Sequence, residues 1–192
     1  ASASTFVATL FLPIQVAVGI GVVLSAILYL NESSAEISVV QMVERPDGRI
    51  EERKSPKRLP SNQVTMLNVY GALSHAGART LERLLPSPRD AQRPVVVLRL
   101  RGLTTVGATL IDVLATYAEQ LQAAHGRLYL AGISDEARDQ LAHSDTLHHS
   151  RAARIYEATS IVGQSAREAY ADARAWLESQ NTTASSDEYS IN

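Results

Sequence analysis

Apolar runs of strand length alternate with amphipathic helical patterns from about residue 37 onward. The predicted strands cover residues 37–43, 63–70, 95–98, 127–133 and 155–156. The predicted helices cover residues 76–85, 105–124, 137–143 and 163–177. Strands that alternate with helices of this length indicate parallel crossovers. We therefore predict an α/β fold with a sheet of about four to five strands covered by helices.

The run Val95-Val96-Val97-Leu98, which follows Pro94, has no polar position. A continuous apolar run of this length is typical of a strand that is buried on both faces. We expect it to lie in the middle of the sheet. His125-Gly126, after the longest predicted helix, stands where a helix C-cap belongs.

The first thirty residues form a separate hydrophobic region. No charged residue lies between Phe6 and Leu30, and a helix of that length would measure about 37 Å, more than the roughly 30 Å of a hydrocarbon core. Residues 1–30 are therefore predicted to form a membrane segment that contacts the lipid bilayer. Pro13 leaves two alternatives, a single kinked helix or a short helix up to Leu12 followed by a longer one.

Small residues recur every four positions in this segment, at Ala17, Gly21 and Ser25. They share one face of a helix, where a second membrane helix can approach closely. We predict that these three residues pack against another helix. The alternative is that they reflect only the general frequency of small residues in membrane helices.

The charges after residue 30 suggest the orientation and the limits of the soluble part. Residues 31–60 are predicted to be a linker with an initial strand, and cations in this linker favour a cytoplasmic C-terminal side. They are Arg45, Arg49, Arg53, Lys54, Lys57 and Arg58. Residues 61–178 form the predicted folded domain, and the polar residues 179–192 a disordered tail.

Composition excludes several classes of function. The net charge of −2 offers no basic field for nucleic acid, and the absence of cysteine excludes disulfides and cysteine-ligated zinc. The chain has no P-loop or dinucleotide motif, and His143, His148 and His149 lack the spacing of a metalloprotease site. Neither Ser74 nor Ser144 lies in a nucleophile motif. We expect no catalytic site, no metal and no cofactor.

Several motifs along the chain resemble the end of sulfate permease (SulP) anion transporters, in which a last membrane helix is followed by a STAS domain. They are Leu12-Pro13-Ile14-Gln15, Asn68-Val69-Tyr70-Gly71-Ala72-Leu73 and residues 95–102, 126–133 and 169–177. The resemblance covers nearly the whole chain. It implies a STAS-like fold, preceded by one transmembrane helical segment, in a longer polypeptide.

The resemblance also implies a regulatory loop before the long helix. In STAS domains that act as anti-sigma antagonists, a hydroxyl in an Asp-Ser-Xaa-Gly-like loop is phosphorylated, and the added charge breaks partner docking. Gly107, Ala108 and Thr109 occupy this position. Gly107 replaces the aspartate and Ala108 the serine, so Thr109 is the remaining hydroxyl. Thr104 and Thr105 are alternatives for it, or caps of the helix.

By resemblance, the chain is the C-terminal fragment of a secondary anion transporter of the sulfate or bicarbonate class. Its STAS domain would serve cytosolic assembly and regulation at the cell membrane. The expected partners are the bilayer, the remaining helices of the same transporter and a second copy in a homodimer. The alternative function is a membrane-anchored STAS signalling module that binds a protein partner.

Overall fold

The computed structural model describes residues 16, 18–25, 37–101, 106–142 and 153–189. The chain divides into two compact units, Ala1–Ala35 and Glu36–Asn192. In the first unit residues 18–25 are helical and exposed, and they include Gly21 and Ser25 of the predicted packing stripe. Ala17 and most of the predicted membrane segment lie outside the described residues. Within the described part of the chain, no helix combines the length and hydropathy required to cross a membrane.

The second unit is built on one six-stranded sheet with the strand order β2-β1-β3-β4-β5-β6. The strands are β1 (Ser38–Glu44), β2 (Ile50–Lys54), β3 (Val64–Tyr70), β4 (Val95–Arg99), β5 (Arg127–Ile133) and β6 (Ala153–Glu157). The strand β1 pairs antiparallel with both β2 and β3, whereas β3, β4, β5 and β6 are mutually parallel. The carboxyl ends of four strands therefore share one edge, which we call the carboxyl edge.

Four helices accompany the sheet in the described part of this unit: α1 (His75–Leu84), α2 (Ala108–Ala123), α3 (Asp135–Ala142) and α4 (Gln164–Tyr189). The first three connect successive parallel strands, and each follows the carboxyl end of a strand. The α/β prediction is confirmed. Each predicted strand and each predicted helix is present, with bounds shifted by a few residues except at the C-terminal end of α4.

The strand β2 is the element that the sequence did not predict. It lies within residues 31–60, where the sequence predicted only an initial strand and a linker, and four of its five residues are charged. It forms because the turn at Pro46-Asp47-Gly48 returns the chain alongside β1, so that Glu44 lies opposite Ile50. Gly48 has a φ of 77°, a conformation that glycine adopts without strain.

The central strand β4 separates two hydrophobic clusters. Leu98 and Val96 point into a cluster covered by α1, α2 and α3, while Val95 and Val97 point into one covered by α4. All four side chains are fully buried, as their continuous apolar run predicts. The α4 side of the second cluster is made of Ala166, Ala169, Ala173 and Leu177. Because three of these are alanines, the helix approaches the sheet closely.

The helix α4 also extends further than the sequence predicted. It continues to Tyr189, so its last turns include part of residues 179–192, for which we predicted a disordered tail. The sequence from Gln164 to Tyr189 contains neither glycine nor proline, and a helix that is already fixed by packing propagates until a residue interrupts it.

A tight turn joins α2 to β5. His125 adopts a left-handed φ of 58°, and Gly126 follows with its N–H donating to the Leu121 carbonyl at 2.7 Å. A Cβ on Gly126 would lie only 2.0 Å from the Pro94 carbonyl oxygen. The glycine is therefore needed for close backbone approach, whereas His125 supplies the left-handed turn.

Candidate regulatory site

The loop that precedes α2 is the predicted regulatory loop. Gly107 is the N-cap residue of α2, with φ −73° and ψ 154°, and no side chain caps the helix at this position. The Gly107 carbonyl accepts the N–H groups of Leu110 at 2.9 Å and Ile111 at 3.2 Å. Glycine is tolerated as an N-cap, but it leaves N–H groups of the first turn without a side-chain acceptor.

Thr109, in the first turn of α2, links this helix to α1. Its Oγ1 lies 2.6 Å from Nδ1 of His75, the first residue of α1. The side chain of Ser74 caps α1 by accepting the Gly77 N–H at 3.4 Å. A hydrogen bond between residues 34 positions apart thus joins the starts of two neighbouring helices.

A second contact ties the loop to α3. The Val106 N–H donates to Oε1 of Gln140 at 2.6 Å. Val106 and Leu110 are buried on either side of the exposed pair Gly107 and Ala108. The loop therefore presents two small residues to solvent while its flanks are held by polar contacts from α1 and α3.

The other half of α2 is held by Tyr117. Its hydroxyl donates to the Pro86 carbonyl at 2.8 Å, and the side chain is buried. Burial raises the pKa of Tyr117 far above its ordinary value. The phenol therefore remains a neutral hydrogen-bond donor, and α2 is held both in its first turn and in its second half.

Of the residues that the sequence singled out for regulation, the structure brings Thr109 together with His75 and leaves Gly107 and Ala108 exposed. Their regulatory role remains a prediction. The alternatives Thr104 and Thr105 lie outside the described residues. Sequence reasoning missed His75 and Gln140, since neither lies near the loop in the chain and no motif marks them.

The contact between His75 and Thr109 is the feature of this site that resembles part of a catalytic pair. An imidazole beside a hydroxyl can act as the base that activates a nucleophile. Such a pair also needs a third group that orients the base. Among the described residues no carboxylate is bonded to His75, and no group of three or more potential metal ligands occurs. The structure does not describe His143, His148 and His149, which the sequence analysis considered and did not assign to a metal site.

Replacement of Thr109 by valine is expected to lower the free energy of unfolding by about 1 kcal/mol, because the hydrogen bond to His75 is lost at nearly constant volume. Thr116→Val on the same helix is the matched control, since Thr116 is exposed, and it should change stability by less than about 0.5 kcal/mol. A double-mutant cycle with His75→Ala, measured by urea denaturation, should show coupling. Additive effects would contradict a stabilising contact.

Comparisons with known proteins identify the type of domain. A family model described as the STAS domain matches residues 57–158, which include the loop and the four parallel strands. Among curated proteins, no sequence matches the chain. Among solved structures, the murine Solute Carrier 26 family member A9 anion transporter in the inward-facing state is similar, with a TM-score of 0.53 and 14% identity. The match covers 80% of this chain and 25% of the transporter chain, so this chain spans about a quarter of that protein.

Proposed function

Because the chain belongs to the STAS domain family, we propose that it is the C-terminal part of a secondary anion transporter of the sulfate or bicarbonate class. The observation that carries the proposal is the similarity of fold to one quarter of an anion transporter, over 80% of this chain. The uncharged run from Phe6 to Leu30 supports it, because a membrane helix before the domain is what a transporter would supply.

In this function the domain acts in assembly and regulation on the cytoplasmic side of the cell membrane. The loop at Gly107 and Ala108 is exposed and held between α1 and α3 by two hydrogen bonds. A partner that contacts the loop therefore also bears on the relative positions of three helices. The proposed partners are the remaining helices of the same transporter, the bilayer and a second copy of the chain.

The transporter function is tested by anion uptake into vesicles. The full-length gene product that contains this chain is reconstituted and supplied with radiolabelled sulfate or bicarbonate, and it is compared with a version that ends at Leu30. We expect uptake by the intact protein, and severalfold slower uptake after truncation, since the regulatory and assembly contacts are removed. The Thr116→Val variant is the matched full-length control and should transport like the intact protein.

Two results would contradict this proposal in different ways. No uptake of either anion by the intact protein would refute the transporter function. Equal uptake by the intact and truncated proteins, with equal amounts in the membrane, would refute the regulatory and assembly role of the domain.

A second candidate, a membrane-anchored signalling module that binds a protein partner, is favoured by one observation. Thr109 keeps a hydroxyl in the first turn of α2, where an added phosphate would lie next to His75 and the helix N-terminus. Absence of uptake together with a protein partner whose binding depends on Thr109 would favour this candidate.

A further inference from the structure

A cavity of about 250 Å³ opens at the carboxyl edge of the sheet, on the face that α4 covers. We call it the arginine cavity. Its polar lining includes Arg99 at the end of β4, Arg101 just after it, Ser134 after β5, Thr159 after β6 and Ser165 at the start of α4. Guanidinium groups and hydroxyls together are the donors that bind phosphate and carboxylate groups.

Neither of the two arginines has an acidic partner among the residues that the structure describes. Arg58, Arg138 and Arg154 each form an ion pair with a carboxylate. In the described part of the chain, Arg99 and Arg101 form none. The cavity therefore has a positive potential that an anion would neutralise.

A third cation adds to this potential, and the nearest acids reduce it only in part. A guanidinium nitrogen of Arg167 lies 3.5 Å from the position that a Cβ on Gly163 would take, and Gly163 lines the cavity. Among the carboxylates nearby, Glu168 accepts a hydrogen bond from Gln164. Glu52 accepts one from the hydroxyl of Tyr70, a residue that also lies within electrostatic reach of Arg99. Asp135 and Glu136 begin α3, which packs on the other face of the sheet, and neither lines the cavity.

Two adjacent aliphatic side chains stand at the same cavity. Ile161 and Val162 line it and are 59% and 62% exposed, among the most exposed large apolar residues of the domain. Such exposure is unfavourable in water unless the side chains find an apolar environment. Apolar side chains beside unpaired cations are the combination that binds the headgroup region of an anionic bilayer.

The chain enters the sheet at this same edge. Since β1 is antiparallel to β3, Ser38 lies opposite Tyr70, the last residue of β3. In the sequence only seven residues separate Leu30, the end of the uncharged run, from Ser38. Seven extended residues reach at most about 25 Å. The uncharged run and the strand that enters the sheet at the carboxyl edge are therefore close together in the sequence.

We propose that the arginine cavity, with Ile161 and Val162, docks on an anionic lipid surface. The phosphate or carboxylate of a lipid headgroup sits between Arg99 and Arg101, and the two aliphatic side chains enter the boundary between headgroups and acyl chains. The inference rests on the membrane attachment that the proposed function includes. It goes beyond that function in one respect: the position of the domain depends on the lipid composition of the membrane. Neither the transporter function nor the signalling function requires this dependence.

The first experiment uses the full chain, whose lack of cysteine makes a single label unambiguous. Ile161→Cys is labelled with an environment-sensitive dye and placed in nanodiscs of phosphatidylcholine with or without phosphatidylserine. We expect dye emission to shift to shorter wavelength in the discs that contain phosphatidylserine. Arg99→Gln together with Arg101→Gln should abolish the shift. Emission typical of water in both kinds of disc would overturn the proposal.

The second experiment measures affinity with the unit from Glu36 to Asn192, which contains both hydrophobic clusters. Its binding to phosphatidylserine vesicles should weaken about tenfold on loss of both arginines, each juxtamembrane cation contributing modestly. Lys57→Gln with Arg89→Gln is the matched control, because these two exposed cations line a different depression beside His125 at the far end of α2. Equal losses of vesicle affinity in the two double variants would contradict a specific lipid site at the arginine cavity.

Inorganic phosphate distinguishes a free anion from a lipid. Phosphate that binds the unit in calorimetry, with no binding to vesicles, would overturn the lipid surface as the occupant. Capture of a protein through Ile161 without vesicle binding would overturn it as well. In either case uptake by the full-length protein is still the expected result, so failure of this inference is separable from failure of the proposed function.

Discussion

Gly126→Ala is expected to lower the free energy of unfolding by about 3 kcal/mol. The added methyl group would lie 2.0 Å from the Pro94 carbonyl oxygen and 3.0 Å from its carbonyl carbon. Both are backbone atoms at the start of β4, and the Pro94 oxygen already accepts the Arg127 N–H. The clash therefore cannot be relieved by a side-chain rotation and must separate the starts of β4 and β5.

The measurement is the urea midpoint of the Glu36–Asn192 unit. Gly107→Ala is the matched control, since its φ of −73° suits any residue and no atom lies within 4 Å of the added Cβ. It should lower the free energy of unfolding by no more than about 1 kcal/mol, because alanine is a poorer N-cap than glycine. Equal stability of the two variants would mean that the α2–β5 turn adapts without cost.

Leu98→Ala is expected to cost about 2–5 kcal/mol, the range for removing a fully buried leucine. Leu98 has no exposed surface and lies in the central strand, where helices on one face and a neighbouring strand on each side prevent collapse around the cavity. The identical change at Leu84, which is 40% exposed, is the matched control and should cost less than about 1 kcal/mol.

The measurement is chemical denaturation. If the slope of the unfolding free energy against denaturant concentration is unchanged, the difference in stability between the two variants arises in the native state. Similar losses at Leu98 and Leu84 would show that burial at the sheet centre is not what stabilises the domain.

The elements that the sequence predicted well are those with local signals. The run Val95-Val96-Val97-Leu98 predicted a buried central strand because burial on both faces leaves no polar position, and all four side chains are buried. The long amphipathic pattern predicted α2 for the same kind of reason. The strand β2 has no such signal, because Glu51, Glu52, Arg53 and Lys54 give neither alternation nor hydrophobicity. Its pairing with β1 decides its conformation.

The candidate site was predictable only in part. Motif position identified Gly107, Ala108 and Thr109, since the resemblance gives a place along the chain. The contacts that hold the loop come from His75 and Gln140, 34 residues before Thr109 and 34 residues after Val106. Such pairs depend on how α1, α2 and α3 pack together, which single-sequence periodicity does not specify. Arg99 and Arg101, which form no ion pair with another described residue, were missed because pairing is visible only in three dimensions.

The coverage of the α4 face has a consequence for the order of events during synthesis. In the described structure α4 is the element that covers Val95, Val97 and Tyr129, and it follows all six strands in the sequence. A nascent chain that has released all six strands but not residues up to Leu177 carries an open apolar sheet face. Folding of the domain therefore cannot be completed until α4 has left the ribosome. The exposed apolar face is a surface that a chaperone can bind in that interval.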